Sequence, residues 1–389
     1  MSRSRVLGLY GSERKACRHC LYASDDHGIV IDEEGVCNIC NQVWECQASF
    51  GTGQHKGERK LANLVKEIKA SKNPKNGFDC IVGVSGGVDS SYMLFWAKEI
   101  AGLSPLAFHY DNTWNTSVAS SNIRRVTDTL KIPLKTYIVD NYEIDDIYRA
   151  FLRAGVAELD CSTDLAFAFL LRREARRAGV RFILEGHSFT EEGITPLSSN
   201  YFDGRYIRSI HRRFGSCRIE SYPLMSMSRF MRSILFDRVK VVRPYWYMEY
   251  SKDRARVILK DLCGWENYKG HHLENRMTQF LHSIYLPRKF GIDTRKTLLS
   301  ARLRRGYLQR WEAEASLGQE HLHEAGLEKH IMMRLGFSQD EWIGVMNSET
   351  HYWYEFPTYK KMFELLAPLF YLFSRLELVP TSFYMKYCR

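Results

Sequence analysis

Residues 78–91, FDCIVGVSGGVDSS, constrain this chain more than any other stretch. The apolar run Cys80, Ile81, Val82, Gly83 and Val84 reads as a fully buried strand. It passes directly into Ser85, Gly86, Gly87, Val88, Asp89 and Ser90, and a helical pattern opens at Ser91. A strand, a glycine turn and a helix start in succession can hold a phosphate. The two glycines let backbone N–H groups converge, and the helix N-terminus adds partial positive charge. Ser85 and Ser90 can donate hydroxyl hydrogen bonds to the same anion. Asp89 beside an anion site has two readings: it orients the loop, or it holds Mg²⁺. No lysine follows the glycines, so this is not a Walker A loop. The plain alternative is a corner that uses glycine for steric reasons alone.

The flanking sequence repeats the strand–helix alternation. Residues 58–70 have helical spacing. Residues 103–110 form a second strand pattern that ends at His109, Tyr110, Asp111 and Asn112. Helical patterns follow at 118–130, 142–154 and 163–179, with strands at 134–140, 181–184 and 240–245. The alternation predicts an α/β fold with a doubly wound parallel sheet. Ligands in such sheets sit at the carboxyl ends of the strands. Residues 85–90, 109–112 and 185–187 are therefore expected around one crevice. Gly186 and His187 should face a nucleotide there, and Asp111 should meet its ribose or adenine unless it serves the turn alone. Four regions are expected: a metal module at 1–50, the sheet domain at 51–250, a helical region at 251–346 and an aromatic-rich extension at 347–389.

Four of the ten cysteines form two close pairs, Cys17-x-x-Cys20 and Cys37-x-x-Cys40. The basic N-terminus lacks the apolar core of a signal peptide, so metal binding is the better expectation than disulfides. Four thiolates complete a tetrahedral site and leave no open position, which predicts a structural Zn²⁺ in a zinc-ribbon-like module with a small hairpin at Ile29–Ile31 and a turn at Glu34 and Gly35. Reduced thiols or an iron–sulfur cluster are the alternatives. No run reaches the length of a membrane span, and the protein is expected in the cytoplasm. The net charge of +10 suits anionic partners without choosing among nucleic acid, membrane surface and phosphorylated small molecules.

The loop resembles the SGGxDS pyrophosphate loop (PP-loop) of the ATP pyrophosphatase superfamily, whose fold is adenine nucleotide alpha hydrolase-like. Further stretches narrow the resemblance to the N-acetyl sugar amidotransferase family of bacterial surface-polysaccharide biosynthesis. They are CRHC and CNIC at the N-terminus, LDCSTDLAF at 159–167, ILEGHSFTEEG at 183–193, and HHLENRMTQF with LPRKFGIDTRK beyond Trp265. The resemblance runs from about residue 17 to about residue 317, loosely on to the Ser338 helix, and not past about residue 347.

The resemblance implies that ATP, with Mg²⁺, adenylates the acetamido oxygen of an N-acetylated sugar, nucleotide- or lipid-linked. Ammonia then displaces AMP to leave an acetamidino group. It also implies a separate glutaminase subunit that supplies the ammonia, and no nucleic-acid partner. Ser85, Gly86, Gly87, Asp89 and Ser90 are expected at the ATP phosphates and Mg²⁺, with Asp89 and Ser90 also catalytic. Glu191 and Glu192 are candidates to hold metal or deprotonate ammonium, with a solvated loop as the alternative. His272, Glu274, Lys289 and Arg295 are candidate substrate contacts, with Lys289 and Arg295 suited to a diphosphate. The tail at 352–388 is an accessory helix pair, a partner interface or a peripheral membrane contact at the inner face of the membrane. The competing function is tRNA thiolation by a PP-loop enzyme. That class uses cysteines near the ATP site, whereas Cys80, Cys161, Cys217 and Cys263 are solitary.

Overall fold

The computed structural model describes residues 14–196, 201–237, 239–268, 273–376, 378–379 and 381–388. The first half holds helices α1 (Asn38–Phe50) and α2 (His55–Ala70), strand β1 (Cys80–Gly83), α3 (Val88–Phe95), β2 (Pro105–Asp111), α4 (Ser117–Thr129), β3 (Leu134–Ile138), α5 (Asn141–Ala154), α6 (Cys161–Arg177) and β4 (Phe182–Leu184). Then come α7 (Gly204–Phe214), α8 (Met227–Arg232), β5 (Lys240–Val242), α9 (Lys252–Cys263) and α10 (Arg276–Phe280). The last third is helical: α11 (Arg295–Arg304), α12 (Arg310–Leu317), α13 (Leu327–Arg334), α14 (Gln339–Asn347), α15 (Lys360–Leu365), α16 (Ala367–Arg375) and α17 (Thr381–Tyr387).

The chain divides into two compact units. The larger holds residues 51–188, 200–293 and 321–389. Its sheet is parallel throughout, in the order β3-β2-β1-β4-β5. Side-chain alternation along the strands separates two cores. Ile81, Leu106, Phe108 and Ile183 face one side, packed with residues of α5, α6 and α7. Cys80, Val82, Ala107, Phe182 and Leu184 face the other, packed with residues of α2, α3, α4 and α9. The doubly wound sheet is thus confirmed. Strand order reverses between β1 and β4, and both strands release their loops at this switch point.

Local chemistry accounts for the element ends. Asp140 accepts from the Glu143 N–H to start α5, and Gly155 ends it at φ +63°. Ser338 and Glu341 form a reciprocal capping box on α14, as the spacing predicts. β5 stops at Val242, short of the predicted Tyr245, because Pro244 lacks an N–H and opens a tight turn at Pro244–Trp246. Within the expected helical region, α10 is followed by a π-helical stretch, Leu281–Phe290, that absorbs Pro287.

The smaller unit gathers residues 1–50, 189–199 and 294–320. In place of the expected hairpin it has isolated antiparallel bridges, Ala16 with Ala23 and Ile31 with Cys37, and α1 begins directly after Cys37. Lys296 pairs with Asp26 at 2.5 Å, the Tyr22 hydroxyl meets Thr297 at 2.8 Å, and Arg310 donates to the carbonyls of Cys17 and Cys20.

Candidate active site

The loop after β1 is shaped from within and strapped from outside. The Ser85 N–H donates to Ser90 Oγ at 3.2 Å, the Ser90 hydroxyl donates to the Gly87 carbonyl at 3.2 Å, and the Gly87 N–H meets Ser85 Oγ at 3.3 Å. Gly86 sits at φ +84°, and a Cβ there would lie 2.4 Å from the Ala119 carbonyl. Its own carbonyl accepts from Trp265 Nε1 at 3.0 Å, from the Tyr268 hydroxyl and from Asn122 Nδ2. A peptide is planar with its C=O and N–H opposed. Pinning the Gly86 carbonyl therefore turns the Gly87 N–H toward the inside of the loop, beside the start of α3. The loop thus gathers N–H groups and two serine hydroxyls, bonded to one another, at a helix start: the donor set that an anion cradle uses.

Asp89 resolves toward the first of its two readings. Its carboxylate accepts from the Tyr250 hydroxyl at 2.7 Å and pairs with Lys252 at 2.8 Å, while its carbonyl accepts from the Tyr245 hydroxyl at 2.9 Å. Tyr245 and Tyr250 stack with ring centres 3.8 Å apart. Both carboxylate oxygens hold protein donors, so Asp89 ties the loop helix to the segment before α9.

Gly186 meets the same helix. A Cβ there would lie 2.8 Å from the Asp89 carbonyl, so the missing side chain lets the backbone approach α3 closely. His187 is exposed, and its Nδ1 accepts from Trp246 Nε1 at 3.2 Å. Asp111 takes the turn role: its Oδ1 accepts from the Thr113 N–H at 2.7 Å and from Asn115 Nδ2 at 3.3 Å. Glu274 is brought to the loop, with Oε1 3.4 Å from the Cβ position of Gly87. Residues 115 and 275 form an antiparallel bridge, which carries Glu274 there.

The remaining candidates lie elsewhere. Lys289 Nζ donates to the carbonyls of Val345 and Ser348 at 2.8 and 2.7 Å, at the C-terminus of α14. In the smaller unit Arg295 donates to the carbonyls of Leu317 and Gln319, at the end of α12. Both cations therefore complement helix C-termini, a role their sequence context did not reveal. Glu191, in the smaller unit, is buried 3.6 Å from Arg305, and Glu192 is half-buried in the same stretch. His272 lies outside the described residues.

His109, at the end of β2, is 7% exposed. Burial lowers its pKa below the usual histidine value, which keeps the ring neutral. Its Nδ1–H donates to the Val84 carbonyl at 2.9 Å, leaving Nε2 to accept from Asn115. Burial pushes the Cys80 and Cys161 thiols well above their ordinary value, so neither is poised as a thiolate nucleophile.

In the smaller unit Cys17, Cys20, Cys37 and Cys40 are buried with their sulfurs within 4.8 Å of one another. Cys17–Cys40 and Cys20–Cys37 are 3.8 and 3.5 Å apart. Bonds of 2.3 Å in a tetrahedron put sulfurs about 3.8 Å apart, so the spacing fits one metal ion and is too close to enclose a multi-iron cluster. Backbone N–H groups of His19, Tyr22, Cys37 and Cys40 point at the sulfurs, as charge on thiolates requires.

Comparison with known proteins agrees with this geometry. Residues 79–188 match the family described as asparagine synthase. Residues 274–369 match "LPS biosynthesis protein WbpG-like, C-terminal domain". The uncharacterized protein MJ1599 of Methanocaldococcus jannaschii is 28% identical over 178 residues, 44% of this chain. The chain spans 58% of that relative's length. Two solved structures are similar at 14% identity. The U34-tRNA thiolase NcsA of Methanococcus maripaludis, with its [4Fe-4S] cluster, has a TM-score of 0.32 and covers 80% of this chain and 90% of its own. A predicted subunit of a tRNA methyltransferase from Methanocaldococcus jannaschii has a TM-score of 0.27 and covers 46% of this chain and 75% of its own. The two family matches support the resemblance read from the sequence: an ATP-using PP-loop domain joined to a C-terminal region of lipopolysaccharide-biosynthesis type.

Proposed function

We propose, for a chain that belongs to the N-acetyl sugar amidotransferase family of PP-loop enzymes, that it converts the acetamido group of an N-acetylated sugar into an acetamidino group at the expense of ATP. The observation that carries this reading is the strapped anion cradle at residues 85–90, in a chain whose C-terminal region matches a lipopolysaccharide-biosynthesis family.

An amide carbon is a weak electrophile, and oxide is a poor leaving group. In the proposed reaction the acetamido oxygen attacks the α-phosphorus of ATP and pyrophosphate departs. Ammonia adds to the activated carbon, the C–O bond breaks, AMP leaves, and loss of a proton yields the amidine. Ser85, Gly86, Gly87 and Ser90 hold the departing phosphates with groups already oriented before the reaction, the condition under which hydrogen bonds lower a barrier most. Mg²⁺ neutralises phosphate charge when bound, and Glu274 is the carboxylate we place beside it. Glu274 also carries the substrate-contact role through the segment paired with residue 115. Zn²⁺ is our assignment for the four-cysteine group, in a structural role because four protein ligands leave no open position. A separate glutaminase supplies the ammonia, the sugar is nucleotide- or lipid-linked, nucleic acid is not a partner, and the reaction takes place in the cytoplasm.

The test is pyrophosphate release from ATP and Mg²⁺ with ammonium as nitrogen source, comparing UDP-linked acetamido sugars with bulk tRNA. Release with a sugar, and a product lighter by about 1 Da from replacing O by NH, is expected. Release with tRNA alone overturns the proposal in favour of thiolation.

A further inference from the structure

Helix α16 is apolar on both sides. Phe370 and Phe373 are buried in a cluster with Ile234, Phe363 and Val379. The opposite side presents Tyr371, Leu372 and Leu376, each more than half exposed, with Arg375 among them. Leu365, just before the helix, is 80% exposed. A helix hydrophobic all round is ordinarily enclosed, whereas this one is enclosed on a single side among the described residues. The cluster beneath it also takes in Met227, Phe230 and Met231 of α8. Beyond α8, Leu235 and the 74% exposed Phe236 line a 630 Å³ cleft together with Ser228, Asp237, Arg176 and Arg232.

Charge indicates what covers this surface. Among the described side chains of residues 227–237 and 359–388, Arg229, Arg232, Lys361 and Arg375 are exposed, and Arg176 lies in the cleft 3.7 Å from Asp237. These cations are interleaved with exposed leucine, tyrosine and phenylalanine. A protein partner with an apolar face would satisfy the leucines and leave the arginines unmatched. A surface of acyl chains beneath anionic headgroups satisfies both. No helix among the described residues is long and apolar enough to cross a membrane, so the contact is interfacial.

We propose that the outer face of α16 and the Arg176–Arg232 cleft form a docking surface for an anionic lipid bilayer, with Leu372 and Leu376 entering the interfacial layer and the arginines meeting lipid phosphates. The proposal is independent of which sugar is modified.

Vesicle flotation of the full chain tests it, with phosphatidylcholine vesicles prepared with and without phosphatidylglycerol. Flotation only with the anionic vesicles, weakened by added salt, is expected. The double variant Leu372→Glu, Leu376→Glu should lower the bound fraction about tenfold, because charge replaces apolar contact. Arg232→Glu should lower it about fivefold. All these positions are outside the proposed active site, so circular dichroism and ATP-dependent pyrophosphate release should be unchanged. Absence of flotation, equal flotation with neutral vesicles, or flotation indifferent to all three substitutions overturns the proposal. So does a dimer in light scattering that the double variant disperses, since a second copy would then be the occupant.

Discussion

Lys252 holds its ammonium 2.8 Å from the Asp89 carboxylate, with the lysine side chain 4% exposed and the aspartate 19% exposed. A buried ammonium without its partner is costly. Asp89→Ala should therefore destabilise the protein by about 3–5 kcal/mol, measured by urea denaturation. Replacing both residues with apolar ones of similar volume should recover most of that loss. Ser90→Ala, which leaves the ion pair intact, is the better variant for judging the loop: pyrophosphate release should fall with little change in the urea midpoint. An Asp89→Ala protein as stable as wild type would contradict the anchoring role.

Gly186 permits contact between the end of β4 and the backbone of α3. Gly186→Ala puts a methyl 2.8 Å from the Asp89 carbonyl, where backbone must move. We predict a stability loss of about 1–3 kcal/mol and a larger proportional loss in ATP turnover, because the displaced element carries the phosphate cradle. Crystals of the variant with unmoved residues 85–90 would count against this account.

The four-cysteine group should hold one metal ion per chain, zinc by elemental analysis. Cys37→Ser should release it, and Cys46→Ser should not. Chelation should melt the smaller unit while leaving the parallel sheet's circular dichroism signal in place, because the sheet belongs to the larger unit. Metal content unaltered in Cys37→Ser would refute the tetrad.

Two buried groups give stability opposite pH trends. Burial pushes the Glu158 carboxyl, which accepts from the Tyr206 hydroxyl at 2.9 Å, up to about 7. The folded state then holds a proton that the unfolded chain releases from pH 4.5 upward, so this group's stabilising contribution is full below about 4.5 and is lost as pH rises to about 7. Glu158→Gln should remove that slope, gaining about 3 kcal/mol relative to wild type at pH 8 compared with pH 4.5. His109 acts the other way. Its folded pKa is depressed, so the unfolded chain takes up a proton first as pH falls below 6.5, and stability declines there. Denaturant midpoints across pH 4.5–8 for wild type and Glu158→Gln would show both limbs; parallel curves would exclude the Glu158 assignment.

The strand–glycine-turn–helix loop, the parallel sheet and the cysteine tetrad were legible because each is written in contiguous residues: an apolar run beside two glycines, strands alternating with helices, two CxxC pairs. The straps were not. Trp265, Tyr268 and Asn122 converge on Gly86 from positions far apart in the chain, and nothing local marks an indole or a phenol as a partner of a distant carbonyl. Nothing in the sequence around Lys252, at the start of α9, distinguishes it from a solvent lysine. Lys289 and Arg295 suggested a diphosphate because a cation's sequence neighbours do not disclose whether its partner is a ligand or a helix end. Asp111 showed a real turn signal, which the structure confirms through the Thr113 N–H.

The smaller unit has a consequence in time. Its cysteines leave the ribosome before Lys296, Thr297 and Arg310, which grip Asp26, Tyr22 and the carbonyls around Cys17 from 270 to 293 residues further along the chain. At about 5–20 residues per second, the tetrad waits roughly 15–60 s for its supporting helices. Through that interval a captured ion would hold the four thiols together and away from wrong partners. An ion bound in that interval would precede the docking of the helices that support its ligands.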